Sequence, residues 1–157
     1  MLAKTENLDQ SGLTGYNNYA QSIPPDIQTA DVQNFSEGAG GADNVDVDLK
    51  YKDNWTATQR AEADVKVKVL SEANTVKTPV NRQGTSASSR YKSVNGQGSV
   101  PPKYDVDHVI DLQLGGVDDI VNMNPLDQSV NRSLGSQIQH TIKSYPDGTV
   151  FGNFNIN

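Results

Sequence analysis

The chain has 157 residues, of which 34% are hydrophobic, a formal net charge of −6 and no cysteine. Its mean hydropathy is −0.61, and the absence of any apolar run of about 18 residues excludes a transmembrane helix. The length fits one domain with a loosely ordered arm, the lack of cysteine excludes disulfides and cysteine-ligated zinc, and the acidic balance argues against a generic basic nucleic-acid-binding protein.

Charge is distributed unevenly along the chain. Residues 1–49 hold one lysine against eight acidic residues, a net charge of −7. Residues 50–92 hold nine basic against four acidic residues, a net charge of +5, and residues 93–157 hold three basic against seven acidic residues, a net charge of −4. The middle segment suits a polyanion and the last segment suits a cation, although a solvated helix face plus a loop explains the same charges.

Residues 1–45 are rich in Asn, Gln, Ser, Gly and Asp, and their apolar residues follow no period. This composition predicts an extended or partly disordered acidic arm with a short helix at 26–35. The start of the chain has a single lysine and no apolar core, which is not the pattern of a cleaved secretory signal. The folded domain is expected to span residues 46–157.

The stretch "TATQRAEADVKVKVLSEAN" predicts the first helix. Asp53 or Asn54 can cap its start, and Thr56 with Gln59 has the spacing of a capping box. The "VKVKV" segment also alternates as a strand does, but the neighbouring Ala, Glu, Arg and Lys favour a helix. Trp55 is interpreted as a core anchor rather than as a base-stacking platform. An apolar stripe recurs every fourth residue, at Ala57, Ala61, Val65 and Val69.

Two strands are predicted in the second half of the chain. Residues 74–102 are expected to form a basic connecting segment with one short helix around "SASSRYKSV". The following "KYDVDHVIDLQL" alternates well enough for a strand, and Gly115-Gly116 marks a hairpin or turn. The stretch "VDDIVNMNPL" then indicates a return strand that ends near Pro125.

The last helix is predicted within "DQSVNRSLGSQIQHTIKSY", where Asp127 or Ser129 would cap its start. Gly135 inside this helix costs about 1 kcal/mol relative to Ala, so a reason for a small residue is expected there. The closing "YPDGTVFGNFNIN" predicts a turn at 146–148 and a final strand. The apolar stripe of the helix is spaced by four residues, at Val130, Leu134, Ile138 and Ile142.

From residue 107 to residue 135 the sequence "DHVIDLQLGGVDDIVNMNPLDQSVNRSLG" resembles the HNH endonuclease motif, a ββα-metal finger. His108 matches the catalytic histidine, Asn122 the central Asn and Asn131 the last position of the motif, and three glycines fall in register. Many HNH proteins carry zinc-knuckle cysteines where Asp127 and Val130 stand here, so no structural zinc is expected. The resemblance implies an α+β fold, with a finger at 104–143, flanking helices and a flexible acidic arm.

The resemblance also implies a role for each matched residue. His108 would activate water, because the ordinary histidine pKa of about 6.5 lies close to working pH. Asp107 and Asn131 would hold one divalent ion, Mg²⁺ or else Mn²⁺, since hard cations prefer oxygen ligands and keep several waters. Asn122 would orient His108 or the finger loop, with Asn124 as its rival. Strand alternation puts Asp107 and His108 on opposite faces, so both reach one site only if the strand ends or bends there.

Several further polar residues are weighed beside this set. Asp105 and Asp111 are not expected to be metal ligands, and His140 should point away from the site, half a helical turn from Asn131. Five basic side chains are candidates for phosphate contact, although ordinary solvated charge explains them equally well. They are Arg60, Arg82, Arg90, Lys92 and Arg132.

A looser resemblance, over about 46–156, is to HNH domains at the C-termini of bacterial polymorphic toxins, where a "WTxxQR" helix and a "YPDGT" hairpin flank the same core. It implies a DNA endonuclease without strong sequence specificity, acting as the toxic module of a secreted or injected effector in the target-cell cytoplasm. A free nuclease would kill its maker, so an immunity protein is the expected partner. An RNase of the same fold and a noncatalytic nucleic-acid-binding module are the alternatives, and the retained hydrolytic residues argue against the second.

Overall fold

The computed structural model describes residues 44–80, 82 and 84–157. The described chain is a mixed α+β domain, as expected. The predicted arm at 1–45, with its helix at 26–35, lies outside the described residues apart from positions 44 and 45. The elements are β1 (Val45–Leu49), α1 (Ala57–Glu72), α2 (Ala87–Asn95), β2 (Tyr104–His108), β3 (Met123–Asp127), α3 (Gln128–Ile142) and β4 (Phe151–Ile156).

Within the described ranges the strands form two small sheets. The first and last strands, β1 and β4, pair in parallel. Strands β2 and β3 pair antiparallel, from Tyr104 opposite Asp127 to His108 opposite Met123. Helix α3 starts directly after β3, and the Asp127 carboxylate caps it by accepting hydrogen bonds from two backbone N–H groups. The order strand, strand, helix is therefore present at the predicted place.

The core lies between α1, α3 and the β1–β4 pair. The predicted stripe of α3 is confirmed, because all four of its residues are at most 1% exposed. Trp55 is also buried, and its indole Nε1 donates to Ser129 Oγ at 2.9 Å, which joins the start of α1 to α3. The interpretation of Trp55 as a core anchor is confirmed.

Of the predicted caps, Thr56 starts helix α1, and Asp53 and Asn54 do not. The helix is buried more widely than predicted. The capping box is present, with Gln59 N donating to Thr56 Oγ1 at 3.2 Å and Thr56 N donating to Gln59 Oε1 at 2.9 Å. The predicted stripe is wrong at its start, since Ala57 is exposed and Ala61 only half-buried. The helix contacts β4, α3 and β3. Enclosure on several sides explains why its buried face also includes the polar Glu62 and Lys66.

Glu62 links α1 to both strands of the second sheet. Its carboxylate accepts from the Tyr104 hydroxyl at 2.5 Å and from Asp127 N at 3.0 Å. Burial raises the pKa of Glu62, and these two hydrogen bonds offset part of that effect. A periodicity argument counts Glu62 as polar and places it in solvent, so this link was not predicted.

The two predicted strands of the motif are shorter than the sequence indicated. Strand β2 ends at His108, a bend follows at 109–110, and residues 112–114 form a 3-10 turn. The return strand starts only at Met123, because Ile120–Asn122 is another 3-10 turn. Gly115 has a φ of +93°, so the turn at Gly115-Gly116 is confirmed. A Cβ on Gly116 would lie 1.8 Å from the Ile110 carbonyl oxygen, so the close packing of this loop requires glycine.

The remaining predicted elements can be compared directly. The short helix after residue 85 is α2, the turn near Gly148 is present with a φ of +89°, and the final strand is β4. These three predictions are confirmed. Gly135 is different, because a Cβ there would meet no atom within 4 Å. Packing therefore gives no reason for a small residue at that position.

Candidate active site

A cleft of about 560 Å³ opens at the end of β2, between that strand, the start of α2 and one face of α3. Asp107, His108 and Asn131 all line it. The structure thus brings together three residues that span 24 positions of the sequence, from 107 to 131. The fourth matched residue, Asn122, is not among the lining residues.

His108 is held by an acidic side chain that the sequence did not single out. Its Nε2 lies 3.0 Å from Asp118 Oδ1, and both side chains are largely buried. A carboxylate only accepts hydrogen bonds, so the neutral imidazole carries its proton on Nε2. The lone pair is then on Nδ1, which makes that atom the proton acceptor.

Asp118 is itself fixed through its backbone. Arg90 Nη2 donates to the Asp118 carbonyl at 2.5 Å, and Arg90 Nη1 donates to the Thr85 carbonyl at 2.7 Å. One guanidinium therefore joins the start of α2 to the loop that carries Asp118. An Asp-Asp pair shortly after a double glycine was the only signal for Asp118 in the sequence, and it does not distinguish a histidine partner from a surface acid.

Asp107 lies beside a buried lysine. Lys66 Nζ donates to Asp107 Oδ2 at 2.8 Å, and Asp111 Oδ1 lies 2.6 Å from the same nitrogen. Burial alone would lower the pKa of Lys66, but the two carboxylates outweigh burial, and the pKa is raised. The ammonium is thus charged, and the cluster of Lys66, Asp107 and Asp111 carries a net charge of −1 when both acids are ionised.

Asn122 lies beneath the cleft and fixes the loop after β2. It is 2% exposed. Its Oδ1 accepts from Ile110 N at 2.9 Å, and its Nδ2 donates to the carbonyls of Ile110 at 2.8 Å and Val117 at 3.0 Å. Of the two predicted roles, orienting His108 or orienting the finger loop, these contacts match the second. The rival Asn124 makes one side-chain hydrogen bond, to the Pro125 carbonyl at 3.1 Å.

Asn131 is oriented by Asp105. Its Nδ2 donates to Asp105 Oδ2 at 3.1 Å, and Arg132 Nε donates to the same oxygen at 3.1 Å. Burial would raise the pKa of Asp105, but hydrogen bonds from Arg132, Asn131 and Gln128 together with the Arg132 charge hold it below its usual value. Because the amide nitrogen of Asn131 is engaged by Asp105, its Oδ1 is the atom left to accept or to ligate.

These contacts allow a test of whether a hard divalent ion fits the cleft. Among the described residues, no three His, Cys, Asp or Glu side chains are placed to hold a metal together. Asp107 and Asn131 offer one carboxylate and one amide oxygen on the same cleft. Mg²⁺ is often bound through one or two carboxylates with several retained waters. The oxygen-only set therefore fits Mg²⁺ better than it fits zinc, which prefers nitrogen and sulfur.

The five basic candidates occupy different environments. Arg82 is exposed and lines the cleft. Arg132 is exposed beside Asn131, and Lys92 is half-buried on α2. Arg60 lies 4.9 Å from the centre of the Tyr51 ring, and Arg90 is occupied by backbone carbonyls.

Two charges of the predicted basic segment, residues 50–92, are therefore used inside the protein. Lys66 is buried against carboxylates, and Arg90 fixes a loop. The prediction that this whole segment suits a polyanion is too broad, because a charge sum cannot separate buried from exposed groups. Arg82 is the basic candidate placed at the cleft itself. His140 is exposed and outside the cleft lining, as expected.

Comparisons of the chain with protein-family models, with curated proteins and with solved structures found no match. None of the described helices has the length and apolar character needed to cross a membrane.

Proposed function

We propose that this chain is a metal-dependent endonuclease of the HNH type, with a ββα-metal finger formed by β2, β3 and α3. The observation that carries the proposal is the convergence of Asp107, His108 and Asn131 on one cleft. Each has the chemistry that phosphodiester hydrolysis needs. A noncatalytic binding module would not require an imidazole held in one tautomer by a largely buried carboxylate.

The histidine acts as the general base. Its Nδ1 accepts a proton from a water molecule as the water oxygen forms a bond to phosphorus. The bond between phosphorus and the 3′-oxygen then breaks, and the leaving oxygen takes a proton from solvent. Asp118 accepts from Nε2–H throughout, so it keeps the imidazole oriented and stabilises the imidazolium formed by the transfer.

The amide and carboxylate oxygens of the cleft have a separate task. Asp107 and Asn131 would hold a divalent ion, Mg²⁺ or Mn²⁺, and such an ion supplies charge stabilisation at a phosphate oxygen and at the leaving oxygen. Asp105 supports that role, because it fixes the Asn131 amide with its oxygen available. Asn122 supports it from below by fixing the loop that follows His108.

The proposed substrate is the DNA backbone, cleaved without strong sequence specificity. Arg82 is the side chain placed to contact a phosphate beside the cleft, and phosphate contacts carry no base information. The proposed setting is the toxic module of a secreted or injected bacterial effector that acts in the cytoplasm of a target cell. An enzyme that cuts DNA of any sequence endangers the cell that makes it, so a cognate immunity protein is proposed as its partner.

The direct test measures cleavage of plasmid DNA and of RNA by the purified chain in Mg²⁺, with His108→Ala compared against His140→Ala. His108→Ala should lose at least about a hundredfold in cleavage rate, the scale expected for removal of a general base. His140→Ala should keep its rate, because this histidine is exposed and away from the cleft. Near wild-type cleavage by His108→Ala would contradict the assignment, and preferential cleavage of RNA would favour the RNase alternative.

A further inference from the structure

The end of β2 presents a geometric problem that the proposed function depends on. Neighbouring residues of a strand point to opposite faces, yet Asp107 and His108 both line the cleft. The strand pairing continues through both residues, with Asp107 opposite Asn124 and His108 opposite Met123, so their places on the cleft depend on how the end of β2 is held. The bend at 109–110 lies directly after His108.

Lys66 contacts this bend with its ammonium group. Its Nζ donates to the His108 carbonyl at 2.6 Å and to the Val109 carbonyl at 3.0 Å, in addition to Asp107 Oδ2 at 2.8 Å. Successive carbonyls of a regular strand point in opposite directions. Two consecutive carbonyls that accept from one nitrogen therefore mark the place where the extended backbone stops.

We propose that Lys66 is a positioning residue, which fixes the Asp107 carboxylate and the backbone at the end of β2, so that Asp107 and His108 keep their places on the same cleft. This inference rests on the proposed function, because it treats the cleft as an active site. A lysine ammonium has three protons, and the two carbonyls and the Asp107 carboxylate match them. Asp111 Oδ1 lies 2.6 Å from the same nitrogen, so a second carboxylate also stabilises the ammonium at this point.

The position of Lys66 in the fold suits this role. The residue is 2% exposed on α1, one of the two helices that enclose the core, and it is not among the residues that line the cleft. It acts on the site through Asp107 and the 108–109 backbone and does not touch a substrate. Arg is a poor replacement, because its planar fork cannot converge on three acceptors around one nitrogen.

A purely structural alternative is that Lys66 only neutralises two buried acids. The two hypotheses differ in what they require of the ammonium. Neutralisation needs a positive charge near the carboxylates, whereas positioning needs the charge at one fixed point, within hydrogen-bonding distance of both carbonyls. Moving the charge by one methylene separates them.

The absence of cysteine from the chain makes this experiment possible. Lys66→Cys is produced in the full chain, unfolded, alkylated and refolded in three forms, with wild-type protein treated identically. Bromoethylamine restores an ammonium on a side chain of nearly lysine length. Bromopropylamine places the same charge one methylene further out, and bromopropane gives a neutral side chain of nearly lysine size.

Two quantities are measured on each form. The first is kcat and KM for plasmid cleavage in Mg²⁺. The second is the imidazole NMR signal of His108, with exposed His140 as the internal reference. The aminoethyl form should recover kcat to within about threefold of treated wild type, whereas the aminopropyl form should lose at least about tenfold in kcat with little change in KM, because small misplacements of reacting groups are costly.

The NMR signals keep the two proposals separate. The His108 signal of the aminopropyl form should move while the His140 signal stays in place. If the aminopropyl form folds with a wild-type kcat and an unmoved His108 signal, Lys66 is not a positioning residue. If the neutral form fails to fold, the aminopropyl form decides the question, and if wild type does not cleave nucleic acid, the nuclease proposal fails while the His108 signal still tests Lys66.

Discussion

Replacing Asn122 with alanine tests whether the loop under the cleft depends on one side chain. The amide makes three hydrogen bonds from a position that is 2% exposed, two to Ile110 and one to Val117. Asn122→Ala removes all three and leaves the buried Ile110 N–H and carbonyl without their side-chain partner. We expect the protein to remain folded but to be clearly destabilised.

The magnitude follows from the contacts. A hydrogen bond contributes about 1 kcal/mol net, and a buried group left without a partner costs about 1–3 kcal/mol. The free energy of unfolding should therefore fall by about 3–4 kcal/mol, against a total of about 5–15 kcal/mol for a typical domain. For a domain of this size, that corresponds to a fall in the thermal midpoint of roughly 10 °C or more.

Asn124→Ala is the matched control, because it removes the same type of side chain two residues away. Asn124 is also buried, with 6% exposure. Asn124 makes a single side-chain hydrogen bond, so its loss should be about 1 kcal/mol. Both variants are measured by urea unfolding followed by circular dichroism. Equal losses for the two variants, or a loss below about 1 kcal/mol for Asn122→Ala, would refute the reasoning and reopen the choice between the two asparagines.

Four further predictions concern the cleft and the helix beside it. Asp118→Ala should lower kcat about tenfold or more with little change in KM, whereas Asp119→Ala should not, since only Asp118 contacts the histidine; steady-state cleavage measures both. EDTA should abolish cleavage and added Mg²⁺ or Mn²⁺ should restore it while the thermal midpoint hardly moves, and a large loss of fold on chelation would indicate a structural metal instead. Arg82→Glu should weaken DNA binding and reduce the magnitude of the negative slope of log affinity against log salt by about one. Arg60→Glu should change neither quantity. Fluorescence anisotropy in a catalytically inactive background measures both variants. Gly135→Ala should raise the free energy of unfolding by about 0.5–1 kcal/mol, because the added methyl meets open space, and destabilisation in urea would show that the helix needs the glycine.

Elements governed by local sequence were predictable. The α3 stripe and the Thr56 cap depend on residues within a few positions of one another, and both are present. The over-long strands have a different origin, because "VIDLQL" alternates as a strand does. Its actual path is fixed by Gly115, by Gly116 packed against Ile110 and by the Asn122 amide. Alternation within a short window cannot register contacts of this kind.

The candidate site was predictable only in part for the same reason. Motif spacing identified Asp107, His108 and Asn131, and the fold brings these three onto one cleft. The residues that hold them were missed. Lys66 contacts a strand more than forty positions away, and its type suggests a solvated helix face. Asp118 is one of two adjacent acids, and only the folded loop determines which of them meets the histidine.

The parallel pairing of β1 with β4 has a mechanical consequence. The two strands are 106 positions apart at the Val45–Phe151 pair, and they run in the same direction. A force that pulls residue 44 and residue 157 apart therefore acts along both strands in shear. It loads their hydrogen bonds simultaneously rather than opening them one by one. Pulling the domain at these two residues must break the whole strand pair at once. Its mechanical unfolding force should therefore exceed what its thermal stability alone would suggest.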